Sequence, residues 1–307
     1  MSSYHAPVLV EEVLDLLGPR DGALLLDGTV GGGGHTLAIL NACPGCRVLA
    51  VDRDPEALDA ARERLAGHRE RVRFIRARFD DAVSDPEIRD RGLDGALLDL
   101  GVSSHQLDAD DRGFAFRRGV ALDMRMDPEM PGDAAALLQE ADETRLFEVF
   151  REYGEEPRAG RLAREVLKRR ETEPFESSDQ VVAAMSVAYG KSPSAQDKAR
   201  IFQAIRIAVN DELEALERAL PALRDVLVDG GVLVVIAYHS LEDRIVKHTF
   251  REWSRACICP PEIPICMCRG KALGETLTRK PVRPSESEVA DNPRARSARL
   301  RAWRKAA

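Results

Sequence analysis

The stretch that decides the fold is Leu24-Leu25-Leu26-Asp27-Gly28-Thr29-Val30-Gly31-Gly32-Gly33-Gly34-His35, and a second apolar run ends at Asp52, seventeen residues after His35. The first βαβ unit of a nucleoside-binding sheet has a typical order of features. It begins with an apolar run that ends in an acid, continues with a glycine turn and a helical pattern, here over 36–41, and closes with a second apolar run that ends in an acid. Glycine permits a sharp turn and lets a ligand approach the main chain closely. The stretch therefore predicts an α/β enzyme that binds a nucleoside cofactor.

The type of nucleoside site follows from the positions around the turn. The amides at the start of the helix suit a carboxylate or phosphate, and Asp52 stands where an acid can accept both ribose hydroxyls. A P-loop needs Lys and then Ser/Thr after its last glycine, and the chain has neither at that spacing. The NAD fingerprint also fits poorly, because Thr29 stands at its first glycine position. A glycine-rich turn without a ligand is the remaining alternative.

Composition bounds the class of protein. The 307 residues, 44% of them hydrophobic, suffice for one large domain or a domain with an insertion. No apolar segment is long enough to cross a bilayer, and the N-terminus lacks a basic region followed by an apolar one, so we expect a cytoplasmic protein without a membrane partner.

Charge and cysteine are unevenly distributed. The net charge is −7, yet the segment from Arg269 to Ala307 carries eleven Lys/Arg and four Asp/Glu. This basic segment either contacts nucleic-acid phosphates or is a solvated tail. Four cysteines form the pattern C-x-C-x6-C-x-C at Cys257, Cys259, Cys266 and Cys268. Clustered thiols in a cytoplasmic chain suggest a metal, but this spacing is tighter than the usual zinc pattern, so metal binding stays open.

Further apolar runs extend the sheet over 72–75, 93–100 and 231–236. Continuous runs without alternation are typical of strands buried on both faces. Between the last two runs, helical periodicity covers 134–153, 158–170, 179–189 and 197–227. These patterns predict a Rossmann-like sheet domain, built from 1–106 and 201–307, and an inserted all-helical subdomain over 107–200. The last long helix is expected to return to the sheet, and 281–293 to form a loop or extended arm.

Ligands of such sheets sit beyond the carboxyl ends of the strands. The residues that directly follow the apolar runs are therefore the candidate site: the turn from Gly31 through Gly32, Gly33 and Gly34 to His35, then Asp52, Phe79, Asp80, Asp99 with Gly101 to Gln106, Tyr238, His239 and Ser240. Asp99 closes a wholly apolar strand, where an acid must be paired or functional. Phe79 either lies against an adenine or is a core residue, and His239 is either functional or a buried histidine with its hydrogen bonds satisfied.

Six motifs spread along the chain resemble the bacterial 16S ribosomal RNA cytosine-N4 methyltransferase family. They are Asp27-Gly28-Thr29 with Gly33-Gly34-His35, Asp52-Arg53-Asp54-Pro55, Leu98-Asp99-Leu100-Gly101-Val102-Ser103-Ser104, Leu122-Asp123-Met124-Arg125-Met126, His239-Ser240-Leu241-Glu242-Asp243-Arg244 and Asn292-Pro293-Arg294-Ala295-Arg296-Ser297. The matches extend from His5-Pro7-Val8-Leu9 to the C-terminal segment, and this coverage is far more specific than the glycine turn alone.

The resemblance implies a class I methyltransferase sheet, S-adenosylmethionine as methyl donor, and N4 of one cytidine in 16S rRNA as acceptor, within the small ribosomal subunit. It leaves a homodimer open. Carried onto the matching positions, the donor-binding residues are Gly33, Gly34, His35, Asp52, Phe79, Asp99 and Gln106, and Gly31 belongs to the same turn. Asp52 is expected to hold the ribose, Phe79 the adenine and the turn the methionine end.

Methyl transfer to N4 is an in-line displacement, so the protein must hold the amine nitrogen close to the donor. An acceptor for the N4 protons would localise the nitrogen lone pair, and Asp99, His239 and Ser240 are the predicted catalytic residues. Arg117, Arg118, Arg125, Arg296 and Arg299 are the predicted RNA contacts. Phe114 and Phe116 either form an aromatic wall for the flipped base or belong to a core.

Two other functions compete with methyl transfer. A nucleotide-dependent oxidoreductase would bind NAD(H), so cofactor choice separates it. A non-catalytic RNA-binding ribosome-assembly factor would not need the glycine turn together with Asp52 and Asp99, which argues against it.

Overall fold

The structure, a computed structural model, describes residues 7–260 and 267–307. The chain divides into two compact units, which we call the sheet unit (Met1–Gly101 with Glu214–Ala307) and the helical unit (Val102–Leu213). The predicted insertion, 107–200, lies inside the helical unit, which extends beyond it at both ends.

The elements are as follows. The strands are β1 Leu24–Asp27, β2 Arg47–Asp52, β3 Val72–Arg76, β4 Leu93–Asp99, β5 Leu227–Ala237, β6 Gly274–Thr276 and β7 Arg299–Lys305. The helices are α1 Val10–Leu17, α2 Gly34–Ala42, α3 Pro55–Arg64, α4 Pro86–Arg91, α5 Ser104–Asp108, α6 Ala134–Glu140, α7 Glu143–Glu148, α8 Ala159–Arg170, α9 Ser178–Tyr189, α10 Ala195–Asn210, α11 Glu212–Val226, α12 Ser240–Trp253 and α13 Glu286–Asp291.

The sheet unit contains a seven-stranded sheet in the order β3-β2-β1-β4-β5-β7-β6. The first five strands are parallel, whereas β7 runs antiparallel to β5 and β6 antiparallel to β7. The winding reverses between β1 and β4, and ligands of open parallel sheets bind outside the strand ends at such a switch point. The predicted Rossmann-like sheet with inserted helices is confirmed.

Two apolar layers cover the sheet. Alternate residues of each central strand enter opposite layers, so Leu25 packs with α1, α2 and α3 while Leu24 and Leu26 pack with α4, α11 and α12. Because both faces are covered, the strands read as continuous apolar runs rather than alternating ones.

The helical unit has its own core. Phe150, Leu162, Met185 and Ile205 are each almost fully buried there. The predicted helix over 134–153 is wrong in its continuity: it divides into α6, α7 and a π-helical turn at Val149–Tyr153. Ala141 and Asp142 lie between the first two, and the Asp142 carboxylate caps α7 by accepting from the Arg145 amide at 2.7 Å.

The predicted single helix over 197–227 is also wrong. It ends at Asn210, because Asp211 adopts a left-handed backbone conformation (φ +53°), and α11 begins after it. The Asn210 amide fixes this end, since its Nδ2 donates to the Met124 carbonyl at 2.7 Å and its Oδ1 accepts from the Met126 amide at 2.8 Å. The buried face of α10 lies in the helical core, so 201–213 belongs to the helical unit.

The C-terminal segment is neither a loop nor a solvated tail. Residues 286–291 form α13, and β7 is an interior strand of the sheet. Arg301 on this strand is 6% exposed, and its Nε donates to the Asp243 carboxylate at 2.6 Å. Across the described ranges, no helix has the length and apolar character needed to cross a membrane.

Candidate active site

The glycine turn connects β1 with α2. Gly31 (φ +49°) and Gly33 (φ +78°) adopt the left-handed conformation that side chains disfavour. A Cβ on Gly34 would lie 2.9 Å from the Pro7 ring, which is too close. The conformation and packing of this turn therefore require glycine, and the close approach of a ligand to its backbone stays a prediction.

Asp27 holds the turn from inside. Its side chain is buried, and its carboxylate accepts from the Thr36 hydroxyl at 2.6 Å and from the Thr29 amide at 3.3 Å. Burial raises the pKa of this carboxyl. The site prediction did not include Asp27, although an acid that closes an apolar strand is a signal that could have identified it.

Asp52 joins the turn to the end of β2. Its Oδ2 accepts from the Gly31 amide at 2.9 Å and its Oδ1 from the Asp54 amide at 3.0 Å. Burial raises the pKa of Asp52 to about 6, and the two amide hydrogen bonds oppose this rise. A carboxylate has about four lone-pair sites, so Asp52 keeps acceptor capacity for ribose hydroxyls.

Asp99 at the end of β4 contacts two other elements of the sheet unit. Its Oδ1 accepts from the Tyr238 hydroxyl at 2.9 Å, and its Oδ2 lies 3.6 Å from His35 Nδ1. The side chain is 22% exposed. Burial raises the pKa of Asp99 to about 6, although His35 and Tyr238 lower it. Asp99 is thus an oriented, partly exposed hydrogen-bond acceptor that ionises near pH 6.

His35 has a second neighbour besides Asp99. Its Nε2 lies 2.8 Å from the Val8 carbonyl oxygen, which can only accept, so Nε2 donates this hydrogen bond. The Nδ1 atom faces Asp99 Oδ2 at 3.6 Å, which is too long for a hydrogen bond. The electrostatic interaction between the two side chains nevertheless lowers the pKa of Asp99.

The other predicted site residues of the sheet unit differ in burial and in their contacts. His239 is the N-cap of α12: its Nδ1 accepts from the Glu242 amide at 3.4 Å, its Nε2 lies 3.1 Å from Glu242 Oε1, and its side chain is 8% exposed. Ser240 begins the helix and is exposed, while half-buried Phe79 packs on the core layer beside Gly28. Capping accounts for the place of His239.

Gln106 and three predicted RNA contacts lie in the helical unit. Gln106 forms a capping box with Ser103, whose amide donates to its Oε1 at 2.9 Å. Arg125 binds the Asp123 carboxylate through two nitrogens at 2.9 and 2.7 Å, and the pKa of Asp123 is lowered by these contacts against the effect of burial. Arg117 pairs with Asp110 at 2.5 Å, whereas Arg118 is 95% exposed.

The other candidate substrate contacts divide in the same way. Arg296 is exposed, and Arg299 lies 3.3 Å from the Asp243 carboxylate. Phe114 is buried in the helical core. Phe116 is 39% exposed and packs edge-on against Phe202, with 5.9 Å between the ring centroids.

The donor set fits S-adenosylmethionine. The glycine turn offers close main-chain approach, and Asp52 retains acceptors for hydroxyls. The Asp52 and Asp99 carboxyls, whose pKa values burial raises to about 6, still carry negative charge at neutral pH, which suits a cofactor bearing a sulfonium and an ammonium group.

Comparison with known proteins identifies the family of this chain. The family model described as the MraW methylase family matches residues 2–306. A protein of Gemmatimonas aurantiaca named ribosomal RNA small subunit methyltransferase H is 54% identical over 307 residues, which cover 99% of this chain and 96% of that protein. A protein of the same name from Symbiobacterium thermophilum is 47% identical, with 98% and 96% covered.

A solved rRNA methylase of Streptococcus thermophilus aligns with a TM-score of 0.43 and 10% identity over 97% of this chain and 94% of that one. The family match confirms the predicted family and, with it, S-adenosylmethionine as the methyl donor. On the matched length and the 54% identity, this chain belongs to the MraW methylase family.

Proposed function

We propose that the protein transfers a methyl group from S-adenosylmethionine to the exocyclic N4 of one cytidine in 16S rRNA within the small ribosomal subunit. The observation that carries this proposal is the Asp99 carboxylate, which Tyr238 and His35 hold at the same strand edge as the glycine turn and Asp52. Relatives along nearly the full chain are named small-subunit rRNA methyltransferases, which supports the choice of RNA.

Transfer to N4 rather than to C5 is favoured by the residues at the strand ends. Methylation at cytosine C5 proceeds through a thiolate that adds to the ring, whereas N4 needs only acceptors for its protons. Among the described residues, the cysteines lie at the end of α2 and after α12, not at the carboxyl edge of the sheet. Carboxylates stand at that edge instead, which fits an amine nucleophile.

The bound donor supplies an electrophilic methyl group. The protein's own residues then divide the remaining tasks: Asp52 accepts from the ribose, Phe79 lies on the adenine, and the turn from Gly31 through Gly33 and Gly34 to His35 binds the methionine end. Asp99 accepts an N4–H, which localises the nitrogen lone pair for attack. The methylated nitrogen must lose one proton, and the Asp99 carboxylate, whose pKa burial raises to about 6, is the acceptor at hand.

Other predicted residues have supporting parts in the proposal. His239 positions the start of α12, so exposed Ser240 is the better candidate for direct contact with the base. Gln106 rigidifies α5 through its capping box. Arg118 and Arg296 are exposed and suit RNA phosphates, and Arg118 makes only a long contact of 3.9 Å with the exposed Asp179 carboxylate. Arg117, Arg125 and Arg299 lie closer to protein oxygens.

The test supplies the protein with methyl-labelled S-adenosylmethionine and small ribosomal subunits that lack the proposed mark. The rRNA is then digested and the labelled nucleoside identified. We expect N4-methylcytidine with the natural chain and a severe loss of label with Asp99→Asn. Asp94→Asn is the matched control, because Asp94 lies on the same strand away from its carboxyl end and binds Arg20 and the Leu24 amide.

Other labelled products overturn specific parts of the proposal. C5-methylcytidine or another labelled nucleoside overturns the N4 assignment. Donor binding without any label in subunits or in free rRNA overturns the catalytic function and favours a non-catalytic assembly factor.

A further inference from the structure

Three cysteines of the sheet unit come together between α12 and β6. The sulfur atoms of Cys257, Cys259 and Cys268 all lie within 4.8 Å of one another, and these three cysteines form no disulfide. Cys266, the fourth cysteine of the sequence pattern, lies outside the described residues. From the three described thiols we propose a Zn²⁺ site that is separate from the methyl-transfer site.

The sulfur spacing supports a tetrahedral metal. Zinc bonds thiolates at about 2.3 Å, so two sulfurs on one tetrahedral ion stand about 3.8 Å apart. The Cys257 and Cys268 sulfurs are 3.9 Å apart. The upper limit of 4.8 Å for the other pairs requires each to contract by less than about 1 Å.

The backbone around the sulfurs supports the same assignment. The amide of Ile258, between Cys257 and Cys259, donates to the Cys268 sulfur at 3.3 Å. The amide of Met267, next to Cys268, donates to the Cys259 sulfur at 3.4 Å. Each arm of the segment thus directs an amide at a sulfur of the other arm. Such donors stabilise the negative charge that thiolates carry when they bind a metal.

The choice of zinc follows from the ligands. Three thiolates form a soft donor set, which favours Zn²⁺ over oxygen-preferring Mg²⁺ or Ca²⁺. Binding converts three thiols to thiolates and releases three protons, with no change in oxidation state. A water or another donor completes the four ligands.

The location indicates a structural ion. The segment that carries the cysteines is closed at its base, where the Leu273 amide donates to the Trp253 carbonyl at 2.8 Å and Arg269 donates to the Arg255 carbonyl at 2.9 Å. The 14 residues of α12 separate this segment from His239 by about 20 Å at 1.5 Å per residue. Zinc here would join the two described arms at a place where Cys257 and Met267 are exposed.

The experiment measures metal content in full-length protein expressed with added zinc and purified without chelator or a histidine tag. We expect elemental mass spectrometry to find one zinc ion per chain. The triple variant Cys257→Ser, Cys259→Ser, Cys268→Ser should lose it. The variant Cys43→Ala is the matched control and should keep it, because Cys43 is buried at the end of α2.

A second measurement protects the test against a misfolded variant. Cobalt(II) is added to the natural chain after zinc removal, and we expect the strong visible bands of tetrahedral cobalt with a sulfur-to-metal charge-transfer band in the ultraviolet. Protein without zinc and without these bands overturns the proposal, as does a Cys257–Cys268 disulfide in protein purified under the same conditions. Zinc that survives the triple substitution overturns it as well.

Discussion

His35 Nδ1 lies 3.6 Å from Asp99 Oδ2, while the other ring nitrogen of His35 donates to the Val8 carbonyl at 2.8 Å. The second contact fixes the orientation of the imidazole ring, and the first sets its Nδ1 atom against the carboxylate. The pair is anchored on the other side by Tyr238, whose hydroxyl donates to Asp99 Oδ1 at 2.9 Å. One carboxylate at the end of β4 is therefore oriented by residues of α2 and of the segment after β5.

Replacing Asp99 by Asn should lower the rate of methyl transfer by about 100-fold or more, because the amide cannot take the N4 proton. Asn keeps the size of the side chain and can still accept from Tyr238, so donor affinity should fall far less than kcat. Single-turnover kinetics and calorimetry with S-adenosylmethionine measure the two effects. A rate equal to that of Asp94→Asn would exclude Asp99 from the chemistry.

The same substitution should stabilise the fold. The pKa of Asp99 is raised from 3.8 to about 6, so its contribution favours the folded state below pH 3.8 and is lost as the pH rises through about 6. At neutral pH the buried carboxylate therefore destabilises the folded state. Replacing it by a neutral amide should raise the free energy of unfolding by about 1 to 2 kcal/mol, a gain that the lost attraction to His35 already reduces. Urea denaturation at neutral pH measures the free energy of unfolding, and a lower value for the variant than for the natural chain would contradict the destabilising effect of burying Asp99.

Tyr238→Phe should move the acidic limb of the pH–rate profile. The Tyr238 hydrogen bond lowers the pKa of Asp99, so its loss should raise that pKa and shift the limb of kcat/KM upward by about half to one pH unit. Tyr189→Phe is the control, because the Tyr189 hydroxyl donates to Glu156 in the helical unit. Identical limbs in both variants would show that Asp99 does not set the profile.

Gly33→Ala should weaken donor binding and destabilise the sheet unit. Gly33 has φ +78°, and an added Cβ would lie 3.2 Å from the Leu65 side chain, so we expect a loss of about 1 to 2 kcal/mol in unfolding free energy. Gly67→Ala is the matched control, since nothing lies within 4 Å of its added Cβ. Thermal unfolding with and without donor measures both effects, and equal behaviour of the two variants would remove the proposed role of the turn.

Arg118→Ala with Arg296→Ala should weaken binding to small subunits and reduce the slope of log affinity against log salt by about one per lost phosphate contact. Arg62→Ala is the control, because the Arg62 side chain is half exposed but pairs with Asp59. Filter binding over a salt series measures the slopes. An unchanged slope in the double variant would remove these two residues from the RNA interface.

Local sequence order predicted much of the sheet and the strand ends at which the candidate site lies. The ends of β1, β2 and β4 were predictable because an acid after a buried apolar run marks the strand end, and Asp52 and Asp99 both stand there. The glycine turn was predictable because Gly31 and Gly33 adopt conformations that few other residues tolerate. Helix lengths were less predictable: the break at Asp211 depends on Asn210 binding the backbone of Met124 and Met126, which periodicity does not reveal.

The sequence by itself determined the five parallel strands, the turn and the family, because apolar runs, glycine conformation and conspicuous motifs are local properties. Only the tertiary structure decided which partners those residues meet. It brought Tyr238 to Asp99 and turned the basic residue Arg301 into a buried partner of Asp243 in the sheet. These outcomes depend on strands distant in sequence pairing side by side, since pairing decides which charges lose water and must find a partner.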